Sequence, residues 1–393
     1  MRVLYHHRTS GEEPESVHIA NIVMALRKLG HTVEIVGPAP LGSARRPQKP
    51  GALARLKSRL PRALRELAML AYNARSTSQI AQALRRRPYD FIYERYALNN
   101  IAGLLAARIF RLPIVLEVNT PYAEAWSKYY GLSFGGIARA IEQFLFRRVD
   151  GIITVTDVQR RALEARGVEP ERIHVSHNAI DPAEFDGELP YEGSLRQGTA
   201  PGTLIAGFVG TMNRWQGVQG FAEVIGRVEA AGGGVLFVFV GDGEGRAPLE
   251  AELARANLQH AAKFLGRQPH GRIPALVAQF DMGLLLDSNA YGSPMKVFEY
   301  WAMRKAVIAP SVEPVREILE DGRTGLMIEP GSAAQMADAI LRLRESPELR
   351  ESLGDAAHRH VLATHTWTRN AETIIAAYSR AAGARMLTPG EAR

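Results

Sequence analysis

The chain of 393 residues contains no cysteine, so disulfide frameworks, thiolate metal sites and cysteine nucleophiles are excluded. It also lacks any apolar run approaching the ~20 residues that a membrane-spanning helix needs. The apolar run at the N-terminus is too short for a secretory signal peptide. We therefore expect a cytoplasmic protein whose only membrane contact would be peripheral, on the inner face.

Acidic residues are scarce in one segment of the chain. Residues 41–88 contain twelve lysines and arginines but a single acid, Glu66. The formal net charge of +7 is concentrated in this segment, which argues against a protein that coats nucleic acid. Three interpretations of the segment remain open: a solvated helical surface, contact with an anionic membrane, or attraction of an acidic acceptor.

Short apolar runs alternate with segments of helical periodicity along the chain. A first series extends from Val3–Tyr5 to Ile173–Ser176, and a second extends from Leu204–Val209 to Gly325–Ile328. The intervening residues 181–203 have the composition of a linker. This alternation predicts an α/β fold with two doubly wound, Rossmann-like domains, each built on a parallel sheet.

The two predicted domains span residues 1–190 and 203–367. Domains of this kind bind ligands at the carboxyl ends of their strands, so two in tandem predict a cleft that both sheets face. Candidate functional residues are therefore expected in the loops that follow strands.

One such loop reads Gly241-Asp-Gly-Glu-Gly-Arg246, between a predicted strand and a predicted helix. It departs from a dinucleotide-binding fingerprint because Arg246 occupies the third glycine position and no acid ends the next strand. We interpret the loop as a tight turn whose backbone amides could face a ligand.

A second loop follows the predicted strand at Leu204–Val209. Gly210 gives the backbone conformational freedom at the end of the strand. Arg214 could form a bidentate pair with a phosphate. The alternative is a surface arginine that packs on Trp215.

The most specific stretch covers residues 291–302. Its Gly-Ser-Pro sequence interrupts regular secondary structure, and Pro294 suits the first turn of the helix that follows. The first amides of that helix, at residues 295–297, would lie at its positive end and suit an anion. Glu299 falls one turn later, where a carboxylate can accept two hydrogen bonds from a vicinal diol. The alternatives are a capping or ion-pairing role for Glu299 and a solvated charge for Lys296.

Together these motifs resemble those of the retaining glycosyltransferases of the GT-B fold, family 4 (glycosyl transferases group 1), over nearly the whole chain. Each motif is short, but all of them occur in the family's order. The matching segments are Val17-His18 with Ala25–His31, Val149–Thr156, Ser176–Asp181, Val240–Glu244, Phe264–Gly266 and Pro294–Ala302.

The resemblance implies a GT-B enzyme whose N-terminal domain binds the acceptor and whose C-terminal domain binds a nucleoside-diphosphate sugar, linked to UDP or GDP. It also implies a last helix, at residues 368–384, that crosses back to the first domain. Glu299 would hold the ribose, and the other residues would surround the diphosphate and the base. The implied donor-binding residues are Gly210, Thr211, Arg214, Gln216, Gly243, Glu244, Arg267, Ser293, Pro294, Met295, Lys296, Val297 and Glu299.

Several residues depart from the family pattern. Tyr291 stands where the family often has a glutamate that contacts the donor sugar, so the resemblance does not fix the sugar. Thr211 and Gln216 occupy the positions of a phosphate-binding arginine and lysine, and Arg214 could restore one positive charge. A histidine that is common after the fourth strand is Asn119 here.

Asn119, His18 and Glu117 are the candidate catalytic residues of the acceptor domain. His18 could contact a phosphate or an acceptor hydroxyl, or it could be structural. Glu117 could line the acceptor site, or it could join Arg95 in an ion pair between loops. The acceptor would be a saccharide, a lipid-linked molecule or a small molecule.

No Asp-x-Asp motif occurs in the sequence, so we expect neither a metal site nor a cofactor, with the nucleotide sugar as a substrate. Helix amides, arginine and lysine would stabilise the leaving diphosphate, and front-face attack by the acceptor would retain the anomeric configuration. The product would be a cell-envelope, exopolysaccharide or secondary-metabolite glycan. Two other functions stay open: a GT-B nucleotide-sugar epimerase, and a non-catalytic remnant that binds a partner protein.

Overall fold

The structure is a computed structural model that describes residues 1–9, 15–38, 61–120, 123, 127, 131–186 and 193–387. Residues 41–60, the first part of the basic segment, lie outside the described residues. The chain divides into two compact units. The first contains the described residues up to His177 together with those from Trp367 onward, and the second contains Asn178–Thr366.

Each unit is built on a six-stranded parallel sheet. The strands of the first unit are β1 (Arg2–His6), β2 (Thr32–Val36), β3 (Phe91–Arg95), β4 (Ile114–Val118), β5 (Gly151–Thr154) and β6 (Ile173–Val175). Those of the second unit are β7 (Leu204–Val209), β8 (Val235–Val240), β9 (Ala262–Gly266), β10 (Met282–Leu284), β11 (Ala306–Pro310) and β12 (Leu326–Ile328). Their hydrogen-bonded orders are β2-β1-β3-β4-β5-β6 and β12-β11-β10-β7-β8-β9.

Helices cover the sheet of each unit. Those from the N-terminal half of the chain are α1 (Glu15–Lys28), α2 (Arg62–Arg86), α3 (Ala102–Phe110), α4 (Gly135–Arg148) and α5 (Asp157–Glu164). The others are α6 (Phe221–Ala230), α7 (Arg246–Arg255), α8 (Ile273–Ala278), α9 (Met295–Ala302), α10 (Glu313–Arg316), α11 (Ala333–Glu345), α12 (Pro347–Thr364) and α13 (Trp367–Leu387).

Burial of the central strands explains why the sheets are covered on both faces, and the order of elements along the chain explains why their strands are parallel. Every residue of β3, β4 and β8 is buried, which requires helices on each side of the sheet. Strands alternate with helices along the chain, and such crossovers join parallel strands. The predicted α/β architecture with two doubly wound sheets is therefore confirmed.

Helices lie on both faces of the first sheet. The crossovers through α2, α3 and α4 all progress toward β6, and right-handed crossovers place such helices side by side on one face. The crossover through α1 progresses the opposite way, which places α1 on the other face. There α13 packs against α1, β4 and β5, so the last helix belongs to the first unit.

Across the part of the chain that the structure describes, every helix is too short or too polar to span a membrane.

The buried acid Glu66 joins two of these helices. Its carboxylate oxygens accept hydrogen bonds from the backbone amides of Ser133 (2.7 Å) and Phe134 (2.8 Å), directly before α4. Glu66 is only 4% exposed, although it is the one acid of the basic segment. It therefore holds the start of α2 next to the positive end of α4.

Removal of this carboxylate should destabilise the first unit. We expect Glu66→Ala to lower the free energy of unfolding by about 2 kcal/mol, because the two amides at the start of α4 lose charge-assisted hydrogen bonds to a buried carboxylate. Urea denaturation followed by tryptophan fluorescence measures the change. Gln82→Ala, at an exposed position of α2, is the control, and we expect it to stay within about 0.5 kcal/mol of the parent. An equally small effect at Glu66 would contradict its capping role.

Candidate functional site

The carboxyl ends of β7 and β8 meet at two glycines. Gly210 and Gly241 have φ angles of +136° and +137°, which favour glycine. A Cβ atom on Gly241 would lie 1.9 Å from the Gly210 carbonyl oxygen. A Cβ atom on Gly210 would lie 3.0 Å from the Nζ atom of Lys296. The two glycines therefore allow the strand ends to approach each other and leave room for a lysine.

The backbone amides of the glycine turn after β8 donate hydrogen bonds to other groups of the protein. Gly241 donates to the Gly266 carbonyl (2.8 Å), Gly243 to the Asp242 carboxylate (2.8 Å) and Gly245 to the Met212 carbonyl (2.8 Å). A Cβ atom on Gly243 would lie 2.6 Å from the Met212 carbonyl oxygen. Close packing against the neighbouring loop explains these glycines, and their three amides already have acceptors.

Lys296 is a buried cation at the end of β7. Its Nζ donates a hydrogen bond to Gln216 Oε1 (2.6 Å) and lies 3.9 Å from the centre of the Phe208 ring, at cation–π distance. Lys296 and Gln216 are 8% and 6% exposed. The interpretation of Lys296 as a solvated helix charge is therefore wrong.

The surroundings of Lys296 make its charge responsive to a ligand. Burial lowers the pKa of Lys296 to about 7, and the nearby Glu299 carboxylate opposes that shift only in part. The free protein near neutral pH is therefore divided between charged and neutral Lys296. An anion that approaches the Nζ atom would favour the charged form.

The start of α9 lies beside this lysine. Pro294 stands at the N-cap, and within the described residues no side chain caps the helix. The preceding Ser293 is fixed by Asn178, whose backbone amide donates to Ser293 Oγ (3.1 Å) and whose side-chain amide donates to the Ser293 carbonyl (2.7 Å). The Val297 amide donates to the Pro294 carbonyl (3.1 Å), so the positive end of α9 is held in place with the amides of Met295 and Lys296 available to an anion.

Tyr300 holds α9 against the sheet. Its hydroxyl accepts a hydrogen bond from the backbone amide of Val209 (2.8 Å), the last residue of β7. A Cβ atom on Gly283 would lie 2.2 Å from the Tyr300 ring, so glycine lets this ring pack directly on β10. The geometry between the end of β7 and the start of α9 is therefore set by buried contacts.

Glu299 lies one turn into α9 and is 8% exposed. Among the described residues, no side chain or amide donates a hydrogen bond to its carboxylate. Burial raises the pKa of Glu299; His270 and Lys296 oppose this shift, and Glu184 adds to it. A buried carboxylate with unused acceptor capacity fits a ligand that brings hydroxyl donors, such as a vicinal diol.

The other sequence-predicted donor residues of this region lie nearer to solvent. Thr211, Glu244 and Arg267 are exposed. The Arg214 side chain is 77% exposed, and its Nε lies 3.9 Å from Glu244 Oε1. The structure therefore brings Gly210, Gln216, the start of α9 and Glu299 together around Lys296, with Arg214 at the solvent side.

The three candidate catalytic residues belong to one cluster in the first unit, in which Glu117 and His18 are buried and Asn119 is half-buried. At its centre is Glu117, which is 1% exposed. Glu117 accepts hydrogen bonds from Tyr5 Oη (3.1 Å), Tyr93 Oη (2.9 Å), Arg95 and Asn119. The ion pair between Glu117 and Arg95 joins the carboxyl ends of β3 and β4, as one of the two interpretations predicted.

His18 completes this cluster from α1. Its Nδ1 accepts a hydrogen bond from Arg95 Nη1 (3.1 Å) and lies 3.4 Å from Glu117 Oε1. Burial lowers the pKa of His18 to about 4, although Glu117 opposes the shift. Burial alone would raise the pKa of Glu117, but His18, Arg95 and the hydrogen-bond donors lower it overall. At neutral pH the cluster therefore contains a neutral histidine and an ionised glutamate.

Sequence reasoning missed two supports of the donor region. Asn178 belongs to the family-like segment Ser176–Asp181, but its hydrogen bonds to Ser293 join residues 115 positions apart and leave no local pattern. The contact between Lys296 and Gln216 spans 80 positions. One local signal for the buried lysine was available, because Lys296 is a charged residue between apolar residues at the start of α9.

Two known families match the chain. The family described as Glycosyltransferase Family 4 matches residues 16–184. The family described as Glycosyl transferases group 1 matches residues 196–360. Together the two matches cover most of the chain, and the residues between them, 185–195, lie within the predicted linker.

Individual proteins resemble the chain over much of its length. Alpha-D-kanosaminyltransferase from Streptomyces kanamyceticus is 26% identical over 64% of this chain and 67% of its own length. The 2-deoxystreptamine glucosyltransferase of the same organism is 27% identical over 84% of this chain and 89% of its own length. The crystal structure of Anabaena HepE in complex with UDP has a TM-score of 0.71 at 17% identity and covers 96% of this chain and 100% of that chain. The structural likeness shows a shared fold.

Proposed function

Because the chain belongs to glycosyltransferase family 4 and has the GT-B fold, we propose that it transfers a sugar from a UDP- or GDP-linked donor to an acceptor hydroxyl with retention of anomeric configuration. The observation that carries the donor assignment is the buried contact of Lys296 with Gln216, beside the uncapped start of α9.

Lys296 supplies the positive charge that the family pattern places at position 216. A glutamine stands there, but the Nζ atom of Lys296 reaches it from α9 and lies 2.6 Å from its Oε1. The positive charge therefore comes from α9 rather than from the loop after β7, but it lies at the same end of β7. We infer that Lys296 and the first amides of α9 bind the diphosphate, with Gln216 holding the lysine in position.

Glu299 fits the ribose of the same donor. Its carboxylate is buried, lies on α9 near Lys296 and has no hydrogen-bond donor among the described residues, so two ribose hydroxyls would satisfy it. Solved complexes of Anabaena HepE with UDP and with UDP-glucose support a nucleotide-sugar donor.

The proposal covers a range of donor sugars and acceptors. The names of the two Streptomyces relatives specify different transferred groups, kanosaminyl and glucosyl. Tyr291, which stands where the family often has a sugar-contacting glutamate, is the residue we expect to influence this choice. The acceptor is a saccharide, a lipid-linked molecule or a small molecule used in cell-envelope, exopolysaccharide or secondary-metabolite glycan synthesis.

The proposed reaction is a front-face substitution at the anomeric carbon. The acceptor oxygen forms a bond to that carbon, and the bond from the carbon to the diphosphate oxygen breaks with its electron pair on the diphosphate. The departing oxygen takes the proton of the acceptor hydroxyl. Lys296 and the α9 amides stabilise the developing negative charge, so we propose that the reaction needs no metal ion.

The cluster around Glu117 serves the acceptor side by positioning. Glu117 already accepts four hydrogen bonds and has a lowered pKa, so it is poorly suited to take a proton. It fixes Arg95, Asn119 and the neutral His18 at the strand ends. His18 keeps one ring nitrogen for exchange of a hydrogen bond with an acceptor hydroxyl.

A thermal-shift screen of the full chain with UDP, GDP, ADP, dTDP and their sugars tests the proposed function. We expect one nucleoside diphosphate to raise the melting temperature. The matching sugar donor should be consumed in the presence of EDTA, with the anomeric configuration retained by NMR. An inverted product would contradict retention, and an epimer formed from donor alone would show an epimerase. No stabilisation by any nucleotide would indicate a non-catalytic remnant.

A further inference from the structure

The exposed faces of α2, α3 and α4 carry one sign of charge, and we call them together the basic face. The two acids of these helices, Glu66 and Glu142, are buried. The exposed charged side chains are all arginines, counting the residues directly after α2 and α3: Arg62, Arg65, Arg75, Arg85, Arg86, Arg87, Arg108, Arg111, Arg139, Arg147 and Arg148. Within the described part of the chain, Arg87 alone among these arginines forms an ion pair with an acid, Glu34 of β2 (2.6 Å).

Three contacts join the helices of the basic face into one surface. Arg108 Nη2 donates to the backbone carbonyl of Arg148 (2.9 Å), which joins the C-terminal ends of α3 and α4. The Arg85 guanidinium lies 5.8 Å from the centre of the Phe110 ring, which joins α2 and α3. Glu66 joins the N-terminal ends of α2 and α4. The arginines therefore occupy neighbouring positions on the fold, although they are far apart in the sequence.

Large apolar side chains are exposed between these arginines. They are Leu64 (49%), Leu67 (49%), Leu105 (40%), Ile109 (65%), Ile137 (50%) and Phe144 (48%). The Arg148 guanidinium lies 5.4 Å from the centre of the Phe144 ring. Among the described residues, the rest of the molecule exposes only four large apolar side chains. Such a concentration on one face, interleaved with arginine, is typical of a surface that rests in a lipid interface.

We propose that the basic face docks the protein on an anionic lipid bilayer. The guanidinium groups pair with lipid phosphates, and the apolar side chains enter the boundary of the acyl chains. The absence of exposed acids on the three helices matches the charge of such a membrane, and the apolar side chains explain why a bilayer fits better than a nucleic acid. The surface extends beyond residues 41–88, because Arg108, Arg139 and Arg148 contribute to it.

Charge reversal on the basic face tests the electrostatic part. The full chain is sedimented with phosphatidylcholine vesicles that contain about 30% phosphatidylglycerol, and with phosphatidylcholine alone. Binding should require the anionic lipid, and Arg75→Glu with Arg139→Glu should weaken it at least about a hundredfold, since each unit of charge near the surface contributes about fivefold. Arg342→Glu with Arg359→Glu, an equal charge change in the second unit, is the control and should bind as the parent does.

The absence of cysteine allows a site-specific test of the apolar part. An environment-sensitive fluorophore on Ile109→Cys should shift to the blue with anionic vesicles, whereas one on Leu362→Cys, an exposed apolar position of the second unit, should not shift. Both variants must melt as the parent does. Equal shifts at both sites, no vesicle binding by the parent, or equal binding by the two charge-reversed variants would overturn the proposal. Preferential binding of a single-stranded RNA over anionic vesicles would assign the basic face to nucleic acid.

Discussion

Replacement of Lys296 with methionine should weaken binding of the donor nucleotide sugar by about a hundredfold near pH 6.5. Methionine keeps most of the apolar length of lysine, so the change chiefly removes the cation that we propose contacts the diphosphate. The loss is large because the contact is buried, where water cannot replace the missing charge. Isothermal titration calorimetry with the donor found by thermal shift measures it.

The same substitution should abolish a pH dependence of binding. Burial lowers the pKa of Lys296 to about 7 in the free protein, and a bound diphosphate should raise it. Below pH 7 the lysine is already charged and the affinity should be constant. Above pH 7 binding must take up a proton, so the affinity should fall by up to about tenfold for each pH unit. Lys296→Met should give a flat profile between pH 7 and 9.

A matched control separates this role from a general effect of burying lysine. Lys305 has a pKa that burial also lowers, and its Nζ donates to the backbone carbonyl of Ala278 (2.7 Å), away from the donor region. Lys305→Met should bind the donor as the parent does, with the parent's pH profile. Equal losses in the two variants, or a parent whose affinity is unchanged by pH, would contradict the assignment of Lys296.

Stability gives an independent readout of the same lysine. Because folding lowers the pKa of Lys296, the unfolded chain binds more protons between about pH 7 and pH 10, and the parent's stability should rise with pH across that window relative to Lys296→Met. Below pH 7 the buried charge is most costly, so the variant should melt no lower than the parent there. Loss of binding without loss of stability is the expected combination.

Replacement of Glu299 should remove the contribution of the ribose hydroxyls to donor binding. We expect Glu299→Ala to weaken binding of the nucleoside diphosphate by about a thousandfold, since two charge-assisted hydrogen bonds are lost. Glu299→Gln keeps one acceptor oxygen and should lose about tenfold to a hundredfold. Both affinities are measured by titration calorimetry.

A double-mutant cycle tests the partner of Glu299 directly. The parent should bind the ribose form of the nucleotide far more tightly than its 2′,3′-dideoxy form, whereas Glu299→Ala should bind the two forms equally. If Glu299→Ala still discriminates between them as the parent does, the ribose assignment is wrong, whatever the size of the affinity loss.

Local signals in the sequence were sufficient for much of the fold and part of the donor region. Alternating apolar runs and helical segments predicted the two parallel sheets, because strands buried on both faces read as continuous apolar stretches. Pro294 predicted the start of α9, since proline suits a first helical turn. Gly210 was expected to give the backbone freedom at the strand end, and its φ angle of +136° lies in the region that favours glycine.

Tertiary contacts explain what sequence reasoning could not provide. We expected Arg214 to restore a missing positive charge, but its side chain is 77% exposed and the buried cation is Lys296. Lys296 was interpreted through its backbone amide, because a contact with Gln216 across 80 positions has no periodic signature. The four hydrogen bonds to Glu117 likewise come from donors on or directly after β1, β3 and β4, which are distant in the sequence and adjacent only in the folded sheet.

The basic face illustrates the same limit at the surface. Residues 41–88 stood out as a run of charge, and the first part of that run lies outside the described residues. Arg108 and Arg148 lie in separate helices with ordinary local composition, so only the fold shows that they adjoin the segment.

A crystal structure of the full chain with its preferred nucleoside diphosphate tests the central claim most directly. We expect the phosphates within hydrogen-bond distance of the Lys296 Nζ atom and the amides of Met295 and Lys296, and both ribose hydroxyls within hydrogen-bond distance of the Glu299 carboxylate. A nucleotide bound elsewhere, or bound here with Lys296 still donating only to Gln216, would contradict it.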